Sequence, residues 1–245
     1  NIPWIGITGT NGKTTVAHLI NHVLEANGLQ APMAGNMGKA ASELVHCFEE
    51  GLETQPDWLI IELSSYQIEA AQEVAPRIGI WTNLTPDHLE RHGTIEAYRT
   101  IKRGLLDRSQ IRIFNADDPD LLSQRANLCE GLWVSANGPG SKSQPADFWA
   151  NEEGLLMEKG EALFSTSTFD MPGNHNLQNL ILATAAARKA GLPPENIQRS
   201  LSSFPGVAHR LERLGQLQGM SIFNDSKATN YTAASKGIES IPNPS

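Results

Sequence analysis

Short continuous apolar segments alternate with amphipathic ones through the first two-thirds of the chain. Apolar side chains recur at helical spacing from Val16 to Leu24, and Asn27 and Gly28 end this predicted helix. The uninterrupted apolar segments are typical of strands that are covered on both faces, as in a parallel sheet. The predicted strands are Trp4–Thr8, Trp58–Leu63, Ile78–Asn83, Ile111–Asn115 and Leu132–Ser135. Further helices are predicted at Ala40–Phe48, Tyr66–Gln72, Thr94–Arg103 and Pro119–Asn127. This alternation predicts an α/β domain with a mostly parallel, doubly wound sheet and helices on both of its faces.

The pattern changes after Ser135, where Gly, Pro, Ser and Lys indicate a loop. Turn residues then divide Asp147–Asp170 into predicted hairpins, which would form a small antiparallel sheet. The remaining predicted elements are helices at Leu177–Ala190 and Glu195–Ser203 and strands at Arg210–Leu217 and Met220–Phe223. We place a domain boundary near Gly206–Ala208, so that residues 1–207 form one domain. Residues 208–245 are too few for a core of their own and are expected to begin a second, truncated domain.

Composition narrows the class of protein. The 245 residues are 40% hydrophobic and 19% charged, as in soluble globular proteins, and no apolar run approaches the length that crosses a bilayer. The net charge of −8 argues against a nucleic-acid surface, although a local loop can still bind phosphate in an acidic protein. Two cysteines without metal-ligand spacing and no signal-peptide pattern predict a cytoplasmic protein.

A glycine-rich segment, Gly6–Thr15, lies between the first predicted strand and the first predicted helix. Glycines let main-chain N–H groups converge on a phosphate chain, to which Lys13 would add a positive charge. Thr14 would offer its hydroxyl to Mg²⁺. The spacing departs from the general phosphate-loop consensus, which would place its first glycine at Ile7. A glycine turn that only starts a helix is the alternative, but the strand before it and the helix after it favour nucleotide binding.

Polar residues also follow two other predicted strands. Glu62 ends a buried strand at the carboxyl edge of the sheet, where its carboxylate would either hold Mg²⁺ or face solvent. Asp87 and His88 follow the next strand, where either could be a metal ligand. A helix start with Thr85 as its cap and Pro86 in its first turn would equally explain that segment.

Three further segments carry polar residues whose role the local pattern leaves open. Lys102 lies on a predicted helix, where a lysine is ordinarily a solvated charge. Asn176 and Asn179 share one face at the start of the long helix, and Asn174 is a candidate cap for that helix. Residues 224–230 place an acid and a lysine two positions apart, as either a site or a polar turn would.

Taken in chain order, these motifs resemble the ordered signature of the Mur ligase family, and the resemblance extends along essentially the whole chain. The matching segments are Thr8–Thr14, Gly35–Gly38, Glu62–Gln67, Asp87–His88, Tyr98–Lys102, Asn176–Asn179, His209–Arg210 and Asn224–Asn230. Glu62–Gln67 and Asn224–Asn230 are similar to the versions in the members that add D-glutamate. Members that add L-alanine, a diamino acid or a dipeptide differ at Asn224–Asn230, and so do the folylpolyglutamate synthases.

The resemblance implies an ATP-dependent ligase that adds D-glutamate to UDP-N-acetylmuramoyl-L-alanine through an acyl phosphate, in peptidoglycan precursor synthesis. A folylpolyglutamate-synthase-like ligase, a nucleotide-binding module without ligase activity and a phosphate-loop kinase are the alternatives. The family has three domains, so we expect this sequence to be part of a longer ligase. We further expect a monomer that acts on small molecules, without a nucleic-acid or membrane partner.

The resemblance also implies roles for individual residues. Catalytic roles fall to Lys13, Glu62, His88 and Lys102. ATP would be bound by Gly9, Thr10, Asn11, Gly12, Lys13, Thr14, Thr15, Asn176, Asn179, Arg210 and Asp225. The other substrates would lie near Asn36, Ser64, Lys227 and Thr229. Two Mg²⁺ ions would be held by Thr14, Glu62, His88 and Lys102. Lys102 would act as a carbamate formed with CO₂, because that modification turns the cationic side chain into an anionic oxygen ligand.

Overall fold

The computed structural model of the chain describes residues 2–169 and 171–241. Asp170, the predicted end of the hairpin region, lies outside the described residues. So do Asn1 and residues 242–245, which bound the two predicted domains. None of the helices in the described part of the chain is long and apolar enough to cross a membrane.

The described residues form thirteen strands and nine α-helices. The strands are β1 Trp4–Thr8, β2 Met33–Gly35, β3 Leu59–Glu62, β4 Ile78–Trp81, β5 Ile111–Asn115, β6 Leu132–Ser135, β7 Gly140–Ser141, β8 Gln144–Pro145, β9 Phe148–Ala150, β10 Leu155–Glu158, β11 Glu161–Ser165, β12 Glu212–Leu217 and β13 Met220–Asn224. The helices are α1 Lys13–Ala26, α2 Ala41–Glu49, α3 Ser65–Ala70, α4 Leu89–His92, α5 Ile95–Arg108, α6 Pro119–Ser123, α7 Asn174–Lys189, α8 Pro194–Leu201 and α9 Tyr231–Ser240.

Nine of these strands form one sheet in the order β2-β3-β1-β4-β5-β6-β9-β10-β11. Neighbouring strands from β2 to β9 are parallel, whereas β10 is antiparallel to both β9 and β11. Two small antiparallel sheets, β12-β13 and β7-β8, stand apart from it. The predicted α/β class with a mostly parallel sheet is therefore confirmed. The predicted hairpins are antiparallel as expected, but they extend the main sheet instead of forming a separate one.

The strand order creates a crevice beside β1. The chain leaves β1 for the edge strand β2, returns through β3, and then crosses to β4 on the other side of β1. Ligands of open α/β sheets bind where the strand order reverses in this way, outside the carboxyl ends of the strands. The register places Ile7 of β1 beside Glu62 of β3, and Thr8 beside Trp81 of β4. The loop after β1 therefore emerges between two strand ends.

Apolar clusters on both faces of the sheet hold these strand ends in place. On one face, α1 and α7 pack together and bury Leu19, Ile20 and Ile181 against the sheet. On the other face, α3 and α5 cover a cluster that contains the fully buried Trp81 and Phe114. Close packing of this kind fixes strand ends because interiors tolerate few voids. The prediction of helices on both faces is confirmed.

Two predicted helix starts are wrong. The helix after β4 begins at Leu89 and not behind a Thr85 cap, because Thr85 is bonded elsewhere. The N–H of Thr85 donates to Oγ1 of Thr10 (3.0 Å), and Oγ1 of Thr10 donates to the carbonyl of Thr85 (3.0 Å). The long helix α7 begins at Asn174, after Gly173. The side chain of Asn174 donates to Asn137 instead of capping the helix.

Gly79 offers a test of the packing between β4 and α5. A Cβ added to Gly79 would overlap the hydroxyl of Ser109 and lie 2.8 Å from its Cβ. Gly79→Ala should therefore lower the free energy of unfolding by about 1–3 kcal/mol, as overpacked cores do. At the half-buried Gly104 of α5, an added Cβ meets only the flexible end of Arg108, so Gly104→Ala should raise stability by up to about 1 kcal/mol.

Urea unfolding of both variants would measure the contrast. Ser109→Gly, combined with Gly79→Ala, should recover part of the loss because it removes the atoms that overlap. Equal stabilities of Gly79→Ala and Gly104→Ala would contradict the close packing of Gly79 against Ser109.

Candidate functional site

The loop after β1 leaves the start of α1 open. Gly9 and Gly12 have φ of 143° and 83°, in a region of backbone that favours glycine. No side chain caps α1 at Gly12, and the first N–H groups of a helix have no partner within it. Nζ of Lys13 folds back over the loop and donates to the carbonyls of Gly9 (3.1 Å) and Thr10 (3.0 Å). Free N–H groups at a helix start beside a lysine fit a chain of phosphates.

Helix α7 closes one side of this loop. Asn179 is buried so close to Gly12 that a Cβ there would lie 2.6 Å from Oδ1 of Asn179. Asn176, also buried, donates to the carbonyl of Pro172 (2.7 Å). Both amides line a cleft that starts at the loop. The cleft is also lined by Asn11, Thr15, Asn83, Arg210, Asp225 and Lys236.

Glu62 is the buried acid of the site, with 3% of the residue exposed. Its Oε2 accepts a hydrogen bond from the hydroxyl of Thr14 (2.8 Å), and its Oε1 accepts one from the amide of Asn36 (3.2 Å). The N–H of Asn36 donates to the carbonyl of Glu62 (2.8 Å). Three predicted site residues from three separate motifs therefore meet at one carboxylate.

Arg210 reaches the same point from the C-terminal segment. Its Nη2 donates to the hydroxyl oxygen of Thr14 (2.9 Å), although the two residues are 196 positions apart. Burial lowers the pKa of Arg210, and the charges of Glu62 and Asp225 act in the opposite direction. Oδ1 of Asp225 accepts a hydrogen bond from the N–H of Leu211 (3.1 Å), which fixes the acid beside the arginine.

Lys102 is 1% exposed and enters the site from α5. Its Nζ donates to the carbonyl of Gly9 (2.9 Å) and to Oγ1 of Thr8 (3.4 Å), and it lies 4.6 Å from the centre of the Tyr98 ring. Burial lowers the pKa of Lys102 well below its usual value, and the charge of Lys13 lowers it further. Burial lowers the pKa of Lys13 as well. Two lysines therefore meet at the loop, and burial favours the neutral form of each.

The structure does not bring every predicted residue into this network. His88 adopts the left-handed conformation (φ 54°) and leaves 46% of its side chain exposed. Its closest acidic neighbours are Asp87 and Glu90, each 3.7 Å away. Lys227 and Thr229 are exposed on the segment after β13. These three side chains make no hydrogen bond to the loop in the described part of the chain.

Ser64 has a structural partner at the start of α3. Its hydroxyl accepts a hydrogen bond from the N–H of Gln67 (3.3 Å), and Oε1 of Gln67 accepts one from the N–H of Ser64 (2.9 Å). This capping box fixes the direction in which α3 leaves the strand that carries Glu62.

Sequence reasoning missed two asparagines that hold the loop. Asn83 bonds to the main chain of Asn11, and Asn230 donates to Oδ1 of Asn11 (3.1 Å). Asn83 stands at a strand end beside a polar motif, which is a signal that could have identified it. Asn230 ends the polar segment 224–230, but it precedes α9, a helix that the sequence pattern did not predict, so that segment alone could not place it beside the loop.

The side chains at the crevice fit one magnesium ion. A hydroxyl and a carboxylate, Thr14 and Glu62, are oxygen donors of the kind Mg²⁺ prefers, and Mg²⁺ needs only one or two carboxylates beside water and phosphate. Among residues 2–169 and 171–241, no three His, Cys, Asp or Glu side chains form a metal-binding group. The unmodified Lys102 side chain has no oxygen donor of the kind Mg²⁺ prefers, so a second ion does not fit the unmodified residues.

Comparison with known proteins is consistent with this geometry. Residues 7–187 match the Mur ligase middle domain. The chain belongs to the Mur ligase family. A curated relative from Prochlorococcus marinus (strain MIT 9313), a UDP-N-acetylmuramoylalanine–D-glutamate ligase, is 65% identical over the whole chain, which covers 53% of that relative. A relative of the same name from Synechococcus elongatus (strain ATCC 33912) is 49% identical over the whole chain, which covers 54% of it. This chain thus spans about half the length of the curated Mur ligases it matches.

Solved structures of other ligases share the fold. A UDP-N-acetylmuramoyl-L-alanyl-D-glutamate–2,6-diaminopimelate ligase matches with a TM-score of 0.71 at 23% identity, covering 89% of this chain and 49% of that one. A pseudomurein peptide ligase type C from Methanothermus fervidus matches with a TM-score of 0.74 at 20% identity, covering 100% of this chain and 57% of that one.

The lowered pKa of Lys102 predicts how stability changes with pH. An unfolded lysine keeps its proton up to about pH 10.5, whereas buried Lys102 releases it at lower pH. Between the lowered folded pKa and 10.5 the unfolded chain binds more protons, so Lys102 makes the free energy of unfolding rise with pH. Lys102→Met removes this titration while it keeps most of the side-chain volume.

Urea unfolding of both proteins in CO₂-free buffer from pH 7 to pH 10 would measure the effect. The stability of the wild type relative to Lys102→Met should increase as the pH rises. Parallel curves across that range would contradict a depressed pKa.

Proposed function

We propose that this chain provides the ATP-binding part, residues 1–207, and the start of the C-terminal domain, residues 208–245, of a ligase that adds D-glutamate to UDP-N-acetylmuramoyl-L-alanine. One observation carries the proposal. Thr14 of the phosphate loop contacts both Glu62 and Arg210 in a chain whose curated relatives bear that ligase name. The activity would belong to peptidoglycan precursor synthesis.

The proposed reaction has two steps. An oxygen of the alanine carboxylate attacks the γ-phosphorus of ATP, an O–P bond forms, the bond to the β-phosphate oxygen breaks, and ADP leaves. The amine of D-glutamate then attacks the acyl carbon, inorganic phosphate leaves, and the amine loses a proton to form the amide. Both steps concentrate negative charge, so fixed positive groups should contribute most to catalysis.

The residues around the loop suit this demand. Lys13 and the open N–H groups of α1 would hold the β- and γ-phosphates. Arg210 would stabilise the negative charge of the γ-phosphoryl group during its transfer. The rest of the phosphate-binding loop is Gly9, Thr10, Asn11, Gly12, Thr14 and Thr15. Asn176, Asn179 and Asp225 would also contact the nucleotide, because all three line the cleft that starts at the loop.

Magnesium, when bound, supplies charge that offsets the phosphates and the leaving group. Thr14 and Glu62 are the residues placed to hold the first ion. For a second ion we propose His88 together with Lys102 in carbamylated form. The neutral amine of Lys102 attacks the carbon of CO₂, an N–C bond forms, and one proton leaves. The lowered pKa of Lys102 supports this step, because only the uncharged amine is nucleophilic.

The remaining roles concern the other substrates. Asn36, held beside Glu62, and Ser64, at the end of the same strand, would lie along the muramoyl substrate. Lys227 and Thr229 would meet the phosphate and D-glutamate, and their exposure leaves them accessible to a ligand. We also propose a cytoplasmic monomer that works on small molecules without a membrane or nucleic-acid partner, in keeping with the net charge of −8.

Two other activities remain as outcomes of the same experiment. A folylpolyglutamate-synthase-like ligase would use a folate, and a binding module would retain ATP without forming an amide. The names of the curated relatives favour the D-glutamate ligase over both.

The first test measures binding and ligation separately. Calorimetric titration of the 245-residue chain with ATP and Mg²⁺ should show weak binding, because the phosphate loop, Glu62 and Arg210 are all present. The same chain should form no amide from UDP-N-acetylmuramoyl-L-alanine and D-glutamate, because it covers about half of its relatives' length and substrate positioning dominates such reactions.

A full-length ligase that contains this chain should release phosphate with these substrates and not with a folate. Ligation by the 245-residue chain alone would contradict the proposed division of roles. Absence of ATP binding would contradict the nucleotide site itself.

The second test concerns Lys102 in the full-length ligase. Lys102→Ala should lower turnover by several orders of magnitude and leave the fold intact, because the ligand for the second ion is lost. Wild-type activity should fall when CO₂ is removed and return with bicarbonate, and ¹³C-bicarbonate should give a carbamate signal that Lys102→Ala lacks. Normal turnover of the variant, with no CO₂ dependence in the wild type, would remove the carbamate from the mechanism.

A further inference from the structure

Asn83 holds the phosphate loop through three hydrogen bonds. It follows β4, at the point where that strand leaves the sheet. Its Oδ1 accepts a hydrogen bond from the N–H of Asn11 (2.8 Å), and its Nδ2 donates to the carbonyl of the same residue (3.0 Å). The main-chain carbonyl of Asn83 accepts a third bond from the N–H of Thr10 (3.1 Å). One residue therefore fixes two consecutive residues of the loop.

Thr82 supports the same contact. Its hydroxyl donates to the carbonyl of Asn11 (2.6 Å), so that this carbonyl oxygen accepts two hydrogen bonds. The carbonyl of Thr82 is in turn fixed by Nδ2 of Asn115, which ends the next strand (2.8 Å). The end of β4 thus presents two donors, from consecutive residues, to one oxygen of the loop.

Peptide planarity carries this restraint into the cleft. The carbonyl of Asn11 and the N–H of Gly12 belong to one trans peptide, so they point in opposite directions. Because Thr82 and Asn83 hold the carbonyl on the side of β4, the N–H of Gly12 points away from β4. Within the described part of the chain, no acceptor takes that N–H. Gly12 lines the cleft and immediately precedes α1.

We infer that Asn83 is a positioning residue for phosphate binding: its amide sets the plane of the Asn11–Gly12 peptide and so aims the first free N–H of the loop at a phosphate oxygen. This inference rests on the proposed function, because it assumes that the loop binds the phosphates of a nucleotide. Asn83 acts through the loop and is assigned no contact with the reacting atoms.

If Asn83 positions the loop for phosphate, its variants should lose affinity for phosphate groups and retain their affinity for the nucleoside. Asn83→Ala removes both bonds to Asn11 and should raise the Kd of ATP, and of inorganic tripolyphosphate, about tenfold. The Kd of adenosine should stay within about twofold of the wild type. Competition against a fluorescent ADP analogue, with the 245-residue chain, measures all three ligands in one format.

Two further variants guard against a general loss of structure. Thr82→Val keeps the shape of the side chain and removes one donor, so it should show the same selective loss at about threefold. Ser135→Ala also removes a buried hydrogen bond at a strand end, but Ser135 lies at the end of β6 and bonds to Asp117, not to the loop or to Thr82. It should lower the thermal midpoint as much as Asn83→Ala does, and leave the Kd of ATP within about twofold of the wild type.

Each result has a distinct meaning. A wild-type chain that binds no ATP overturns the proposed nucleotide site, whatever the variants do. ATP binding by the wild type, with unchanged Kd values for Asn83→Ala and Thr82→Val, overturns only the role of Asn83. A parallel loss of adenosine affinity in Asn83→Ala would overturn it too, because Asn83 would then act on the base or ribose.

Discussion

The loop between β1 and α1 must turn a strand end into a helix start within four residues and still leave main-chain N–H groups free for a ligand. Gly9 and Gly12 permit the turn because their positive φ values strain other residues. Free N–H groups are costly where water is scarce, since an unsatisfied buried donor costs about 1–3 kcal/mol. The sheet offsets this cost from outside the loop, since Thr82 and Asn83 take up the other polar groups of Asn11. The rest of the site is arranged around that restrained loop.

The charged side chains of the site are grouped around the same loop. Lys13 and Lys102 both donate to the carbonyl of Gly9, and each side chain has a pKa lowered first by burial. Arg210 adds a third cation, whereas Glu62 is a buried acid that is already shared between Thr14 and Asn36. An anion that arrives at Lys13 favours its protonated form, whereas carbamylation of Lys102 needs the neutral one. Burial thus lowers the pKa of both lysines, but Lys13 would act in its protonated form and Lys102 in its neutral form.

How much of the fold could be predicted from the sequence depends on whether each strand, helix or cap is determined by nearby residues or by distant ones. Strands β1, β5 and β6 match their predicted bounds because continuous apolar runs are themselves the signal for buried parallel strands. The three-residue strand β2 is too short to give a pattern. The Thr85 cap failed because Thr10, 75 positions away, binds both polar groups of its main chain. Helix α9 was not predicted because it is only ten residues long and contains Gly237, a residue that weakens helices. Its position is set by tertiary contacts, since Gly237 lies close to Asp225.

The same distinction applies to the site. Thr14 and Glu62 belong to segments that already suggested phosphate and metal chemistry, so their meeting could be anticipated. Arg210 could not be placed from local pattern, because only the folded chain brings it to Thr14.

The contact between Arg210 and Thr14 also has a chemical consequence. The hydroxyl of Thr14 donates its only proton to Glu62 and accepts from Arg210, so a cation bound to this oxygen would stand beside the guanidinium. Like charges repel strongly at such short range in a partly buried site. In the proposed ligase, binding of the ion should therefore favour a position of Arg210 nearer the phosphates, which would link the C-terminal segment to the occupancy of the loop.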